Sequence, residues 1–249
     1  MIEKGVRRVG CAGWSISSQA AALFPGTGSH LERFAQVFNT VEINSSFYRP
    51  HRPQTYARWA ASVPAAFRFS VKRPRSITHD QRLQDIDPLV ARFADEVGAL
   101  DDKLGCILIQ LPPSLAFDVA VADAFFKKMC TGSAGPFDCT LAVEARHATW
   151  FDAAATSILQ QYGVTRVIAD PAVGQPGAHI PTTSDIYVRL HGSPRRYYST
   201  YSQNYLAQLD ADMQIHANAG RTVWCIFDNT LSPTYLQQAL AVTGATDHQ

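Results

Sequence analysis

The chain has 249 residues, 46% of them hydrophobic, enough for one large α/β barrel or two small domains around a substantial core. Its 22 Lys and Arg against 21 Asp and Glu leave a net charge of +1, so overall charge gives no pull toward nucleic acid or an anionic membrane. No run reaches the ~18 apolar residues of a membrane span, and Met1-Ile2-Glu3-Lys4-Gly5 lacks the apolar stretch of a signal peptide, so a cytoplasmic protein without a membrane partner is expected. The five cysteines form no C-x-x-C pair. Cys11, Cys106, Cys139 and Cys225 lie in apolar, strand-like runs, which reads as buried reduced thiols.

In chain order, Val9–Gly13 is short, apolar and glycine-punctuated, a first strand followed by Trp14 and Ser15. Ser29 with Glu32 has capping-box spacing, and Leu31, Phe34, Ala35 and Phe38 continue at helical intervals. Val41-Glu42-Ile43-Asn44 alternates as a strand does, with an acid on its polar face, and Phe67 to Lys72 repeats the pattern. A short helix through Tyr56 and Trp59 lies between these strands. A long loop from Arg73 to Asp87 then leads to a helix opened by Asp87-Pro88. Leu104 to Leu111 is nearly unbroken apolar strand, stopped by Pro112-Pro113. A helix from Val119 to Met129 and a turn from Gly132 to Pro136 precede the strand Leu141 to Arg146. A helix from about Ala153 to Tyr162 follows, then a strand ending at Asp170, then a Pro/Gly-rich crossover without a full helix. The strand Ile186 to His191, a helix at about Ser202–Ala219, the strand ending at Asp228 and a helix opened by Ser232-Pro233 finish the chain. Eight strands, at least six helices and no linker predict a single-domain, TIM-like (β/α)8 barrel with a degenerate sixth helix.

Barrel chemistry gathers at the C-terminal ends of the strands, so the last inward-facing residues are the candidates. Glu42, Lys72, Glu144, His191 and Asp228 are the expected catalytic set: Glu42 and Glu144 as an acid/base pair if neighbouring charges push their pKa values apart, a third acid, an amine, and a histidine placed for proton transfer. Trp14, Asn44, Tyr48, His79, Gln110, Arg146, Asp170, Arg189, Gly192, Ser193 and Asn229 are the expected substrate-binding set. Buried charges are costly unless paired, so most of these must interlock, and Lys72 has two equal readings, a salt bridge to Glu42 or Glu144 and an anion contact. A Schiff-base role for it ranks third. Arg68, deep on its strand, reads as knitting the interior. Solvent-exposed histidine is the plain reading of His79 and His147. An anion site is expected where Gly192, Ser193, Arg195 and Arg196 meet the start of the last helix.

No H-x-x-x-H or H-x-H spacing marks a metal site. The four acids Glu42, Glu144, Asp170 and Asp228 leave room only for weakly held Mg²⁺ or Mn²⁺, against three cations at the same rim. Neither dinucleotide nor P-loop glycine motifs occur, so no cofactor is expected.

Several of these segments also resemble one family. Gly10-Cys11-Ala12-Gly13-Trp14-Ser15, Val41 to Tyr48, Phe69-Ser70-Val71-Lys72 with Thr78-His79, Glu144-Ala145-Arg146-His147 with Trp150, Arg189-Leu190-His191-Gly192 and Phe227-Asp228-Asn229 are similar, in this order, to the YecE-like family known as domain of unknown function 72. The resemblance implies a TIM-barrel-like fold and carries no established activity.

Three functions compete. The first is an enzyme using acid/base chemistry on a small phosphate- or carboxylate-bearing molecule, with hydrolase, lyase and isomerase chemistry all open. The second is a nucleic-acid-binding or phosphodiester-cleaving barrel, suggested by interleaved aromatics and bases such as Tyr48-Arg49 and Arg195-Arg196-Tyr197-Tyr198. The third is a non-catalytic ligand-binding barrel.

Overall fold

The computed structural model describes residues 5–131 and 138–243. The turn expected at Gly132 to Pro136 lies outside them. Nine strand segments form two wholly parallel sheets. One has the order β1 (Arg7–Cys11), β9 (Val223–Phe227), β8 (Ile186–Leu190), β7 (Ile168–Asp170). The other runs β2 (Thr40–Ile43), β3 (Arg68–Lys72), β4 (Leu104–Gln110), β5 (Thr140–Glu144), β6 (Thr165–Arg166).

The nine segments correct the expected eight. A single extended stretch breaks at Val167, whose amide donates to Val143 O at 2.9 Å; its first half pairs with β5 and its second half with β8. The chain itself therefore carries the architecture from one sheet to the other. At the second seam, β1 lies against β2 without a backbone ladder among the described residues. Gly10 makes that approach possible, because a Cβ there would fall 2.0 Å from Thr40 O. Asn39 stands in for the missing ladder: its Oδ1 accepts from Val9 N–H at 3.0 Å and its Nδ2 donates to Arg7 O at 2.7 Å. The fold is α/β and TIM-like, with two seams in place of one continuous ring of ladders.

The helices are α1 (His30–Phe34), α2 (Pro53–Ala61), α3 (Asp87–Gly98), α4 (Val119–Thr131), α5 (Ala153–Gln161), α6 (Gln203–Asn218) and α7 (Tyr235–Ala241). Ser29 and Glu32 form the capping box that their spacing predicts. The stretch between β7 and β8 contains no helix, as its prolines and glycines require. The loop after β3 is not fully irregular; residues Ser76–Asp80 wind into one π-helical turn. The last helix begins at Tyr235, past Ser232-Pro233, with Thr234 as an N-cap that makes no side-chain cap bond.

The main core lies between strands and helices, where Phe34, Phe69, Phe93, Phe125, Phe126 and Trp150 are buried. A separate, smaller apolar cluster joins the inward faces of both sheets: Cys106, Leu108, Ala142, Val167, Tyr187, Trp224 and Ile226. These are the period-two partners of the charged strand ends, so the polar layer sits directly on an apolar floor. All five cysteines are free thiols; Cys11, Cys106 and Cys225 are buried, while Cys130 and Cys139 are only partly so. Among the described residues no helix is long and apolar enough to cross a membrane.

Candidate functional site

Continuing each inward face by two residues places charge on the apolar floor. Arg189 follows Tyr187 on β8, Asp228 follows Ile226 past β9, Glu144 follows Ala142 on β5, and Lys72 follows Ser70 on β3. Glu42 projects from β2. Arg189 is the hub. Its Nε and Nη2 donate to Glu42 Oε2 and Oε1 at 2.9 and 2.7 Å, a two-pronged pairing that suits a planar guanidinium. Its Nη1 donates to Glu144 Oε2 at 2.5 Å, and Nη2 also reaches Asp228 Oδ2 at 3.1 Å. Arg189 and Glu42 are both completely buried. With its donors spent on three carboxylates, Arg189 holds the site together, and its expected substrate contact is withdrawn. Glu42, sealed beneath it and also bonded by the Tyr187 hydroxyl at 3.2 Å, belongs to the same foundation rather than to the reacting groups.

His191 bridges two acids, Nδ1 to Asp228 Oδ2 at 2.9 Å and Nε2 to Glu144 Oε1 at 3.2 Å. Burial opposes a charged ring, but hydrogen bonds to Asp228 and then Glu144 outweigh it and raise the imidazole pKa above its ordinary value. Burial likewise opposes ionisation of Glu144 and Asp228. Arg189 first, and then His191, holds Glu144 well below and Asp228 below the usual carboxylate range. Arg146 adds a further pair to Glu144, through Nε at 2.8 Å and Nη2 at 2.6 Å, and remains partly exposed.

Lys72 stands apart. It is 4% exposed, yet its Nζ makes no ion pair and no hydrogen bond among the described residues, so the expected salt bridge to Glu42 or Glu144 is absent. Arg189 has taken those oxygens. The ammonium lies over the Phe47 ring at 4.3 Å, a cation–π contact. Burial, followed by repulsion from Arg189, depresses its pKa to about 8 against the pull of Glu42, Asp228 and Glu144. His79, half-buried and edge-on to Phe47 at 5.0 Å, has a lowered pKa through burial and the positive charges of Lys72, Arg75 and Arg146. Positive potential therefore concentrates around Lys72, His79 and Arg146.

The remaining expected residues divide. Gln110 is buried in register with Glu144, at the same level of the site. Asn44 is half-buried, its Oδ1 sealed without a partner. Trp14 packs edge-on to Trp59 at 5.0 Å, and Tyr48 is 71% exposed against Phe47; among the described residues neither bonds to the ionic group. His147 is not a free surface histidine, because its ring bonds Thr149 and caps the next turn. Asp170 is a correction. Val167 faces the interior, so Ala169 shares that phase and lies level with Arg189, while Asp170 points away to the Tyr201 and Tyr205 hydroxyls at 3.3 and 3.4 Å. Gly192 is a second correction. Its amide donates to Tyr201 Oη at 2.8 Å, and its φ of +88° with Ser199 O crowding the Cβ position makes glycine a packing requirement. Asn229 is buried and bonds Ser199 O and Gln238 Oε1, and Ser193 and Arg195 are exposed, with Arg195 stacked over Tyr198. The anion site expected around Gly192 and the last helix is therefore not assembled there.

Phe47, Tyr187 and Ser46 are not among the expected site residues, although alternation puts Tyr187 on the face of Arg189 and Phe47 follows the Glu42 strand. Tyr187 shares the period of Arg189 and bonds Ser70 and Glu42. Ser46 donates to Lys72 O at 2.6 Å and to Ile43 O at 2.7 Å, tying the ends of β2 and β3 together. Among the described residues no three His, Cys, Asp or Glu converge on one point as metal ligands. A cavity of about 1030 Å³ opens at the opposite pole, among strand-start residues such as Arg8, Arg68, Gly105, Asp185 and Trp224. In barrels that pole serves stability more than chemistry.

Solved structures share this arrangement of segments. A DUF72 family protein of Thermotoga maritima MSB8 superposes with a TM-score of 0.79 at 24% identity, covering 98% of this chain and 100% of that one. A DUF72 family protein of Enterococcus faecalis V583 gives 0.79 at 18% identity, covering 98% and 96%. At these identities the likeness concerns the fold. The UPF0759 protein YecE of Escherichia coli K12 is 31% identical over 145 residues, 56% of this chain and 52% of that protein. The UPF0759 protein YunF of Bacillus subtilis 168 is 23% identical over 201 residues, 74% and 69% of the two chains. The match thus spans about half the length of YecE. The model described as "Protein of unknown function DUF72" matches residues 8–248, and the chain belongs to that family.

Proposed function

We propose that this protein is an enzyme that binds a small phosphate- or carboxylate-bearing substrate at the strand C-termini and moves a proton through His191. One observation carries the reading: Lys72 is a buried cation left unpaired beside carboxylates that other groups have already satisfied. Counting the group, Glu42, Glu144 and Asp228 meet Arg189, Arg146 and a protonated His191, three against three, before Lys72 is added. An anion would neutralise the surplus charge, with Arg146 and His79 close enough to share it. Hydrogen bonds to Asp228 and Glu144 raise the His191 pKa; the longer of them, Nε2 to Glu144 at 3.2 Å, is the one given up when Nε2 hands its proton to substrate, while Asp228 at 2.9 Å orients the ring.

Calorimetric titration with inorganic phosphate tests the reading. Binding in the millimolar range or tighter is expected at pH 7, weakening about tenfold or more once pH rises well past the Lys72 pKa of about 8. Unchanged affinity from pH 7 to 9.5, or no binding at all, would show that Lys72 does not recruit the anion.

A further inference from the structure

We infer that Lys72 is an imine-forming amine, which condenses with the aldehyde or ketone carbon of an anion bound at the strand C-termini. The inference rests on the anion-binding reading and adds to it the reactive group of the substrate.

A lysine beside three carboxylates ordinarily joins an ion pair, and its nitrogen lone pair is then locked into an N–H bond. Here Arg189 contacts all three carboxylates, and among the described residues Lys72 is left with the face of Phe47 as its one contact partner. Nζ is also not among the sealed, unpartnered polar atoms, so it keeps accessible surface although the residue is 4% exposed. Its backbone is fixed by Ser46 and by the β3–β4 register at Leu108, which places the amine on a rigid strand end. The groups acting on it are Arg189, which disfavours the ammonium, and Glu42, Asp228 and Glu144, which favour it. With a pKa of about 8, about a tenth of the amine is free base at pH 7, against about one part in three thousand for an ordinary lysine.

The free amine attacks the carbonyl carbon, forming the C–N bond while the π pair moves to oxygen. That oxygen takes a proton from the attacking nitrogen, giving a carbinolamine. A second proton, from charged His191, lets the oxygen leave as water while the nitrogen lone pair forms C=N. The iminium then carries the positive charge that the three acids stabilise, and His191 recovers its proton from solvent. No oxidant, reductant or metal enters the balance.

The test uses the full chain with glyoxylate, the smallest anionic aldehyde, and cyanoborohydride, whose hydride converts an iminium into a stable secondary amine. Peptide mass mapping should place the carboxymethyl group on Lys72 about tenfold or more faster than on Lys103 or Lys128, with phosphate slowing that site alone. Labels spread over the lysines without a lead at Lys72 overturn the inference. Lys72→Arg keeps the positive charge and removes the nucleophilic amine, so loss of the rapid carboxymethyl label in that variant supports the inference, and a rapid label that survives at another lysine overturns it. The wild-type map decides even if that variant misfolds. Phosphate binding without preferential labelling overturns the imine and leaves the anion site; preferential labelling without phosphate binding does the reverse.

Discussion

Replacing Lys72 with methionine should make the protein more stable, against the usual result of cutting into a buried ionic group. The folded-state pKa of about 8 lies about 2.5 units below the ordinary 10.5. Holding the ammonium in place therefore costs about 3 kcal/mol relative to the unfolded chain. Lys72→Met keeps the length, removes the charge and leaves the other six ionic groups balanced three to three, so it strands no carboxylate. The sign follows from proton binding. Below pH 8 both states are protonated and the whole penalty is present. Between about 8 and 10.5 the folded lysine loses its proton first, so wild-type stability rises and the advantage of the variant shrinks. Urea denaturation followed by circular dichroism should show the variant ahead by about 1–3 kcal/mol at pH 7 and level with the parent near pH 10.5. A variant less stable at pH 7, or a difference that ignores pH, would mean that Lys72 is paired after all and that its availability to an anion or a carbonyl is an error.

Glu144→Gln should do the opposite. It strips Arg189, Arg146 and His191 of a shared partner, and thermal denaturation should report a loss of about 3–5 kcal/mol, whereas a parent-like melt would make Glu144 peripheral. Acid should weaken the fold through Glu144 and Asp228, whose depressed values contribute stability above about pH 4 that is lost as pH falls through the folded pKa values. His191 acts in the other direction: its raised value contributes below about pH 6.5, and that contribution is lost as pH climbs through the folded pKa. A ring-proton NMR titration giving His191 an ordinary or lowered midpoint would contradict the bridge between Asp228 and Glu144.

The strands and their charged ends were legible because alternation is local. Glu42, Lys72, Glu144, Arg189, His191 and Asp228 each sit two residues beyond another inward residue or within such a run, and period two needs no knowledge of the partner strand. Asp170 misled for the same reason. With Val167 inward, the same alternation turns Ala169 inward and Asp170 outward, and which of the two phases of that strand faces the interior is not written locally. Partner choice was not legible either. That Arg189 serves three carboxylates and leaves Lys72 with none depends on reach and angle across five strands. Gly192 is a similar case, since a positive φ signals either close ligand approach or close packing, and only Ser199 O decides.

The seam at Val167 divides the chain in a way that bears on its synthesis. Strands β2 to β6 come from one continuous stretch, residues 40–166, whereas the other sheet needs the first strand and the last three. On a ribosome the five-stranded half is complete while β8 and β9 are still untranslated, because domains build from the N-terminus as they emerge. Glu42, Lys72 and Glu144, with Arg146 already beside Glu144, then share one half of the fold, while the Arg189 that pairs with Glu42 lies 45 residues beyond Glu144. Arrival of β8 docks the second sheet and places Arg189 on the oxygens of Glu42 and Glu144, so the strand that joins the two halves is also the one that sets free the lysine.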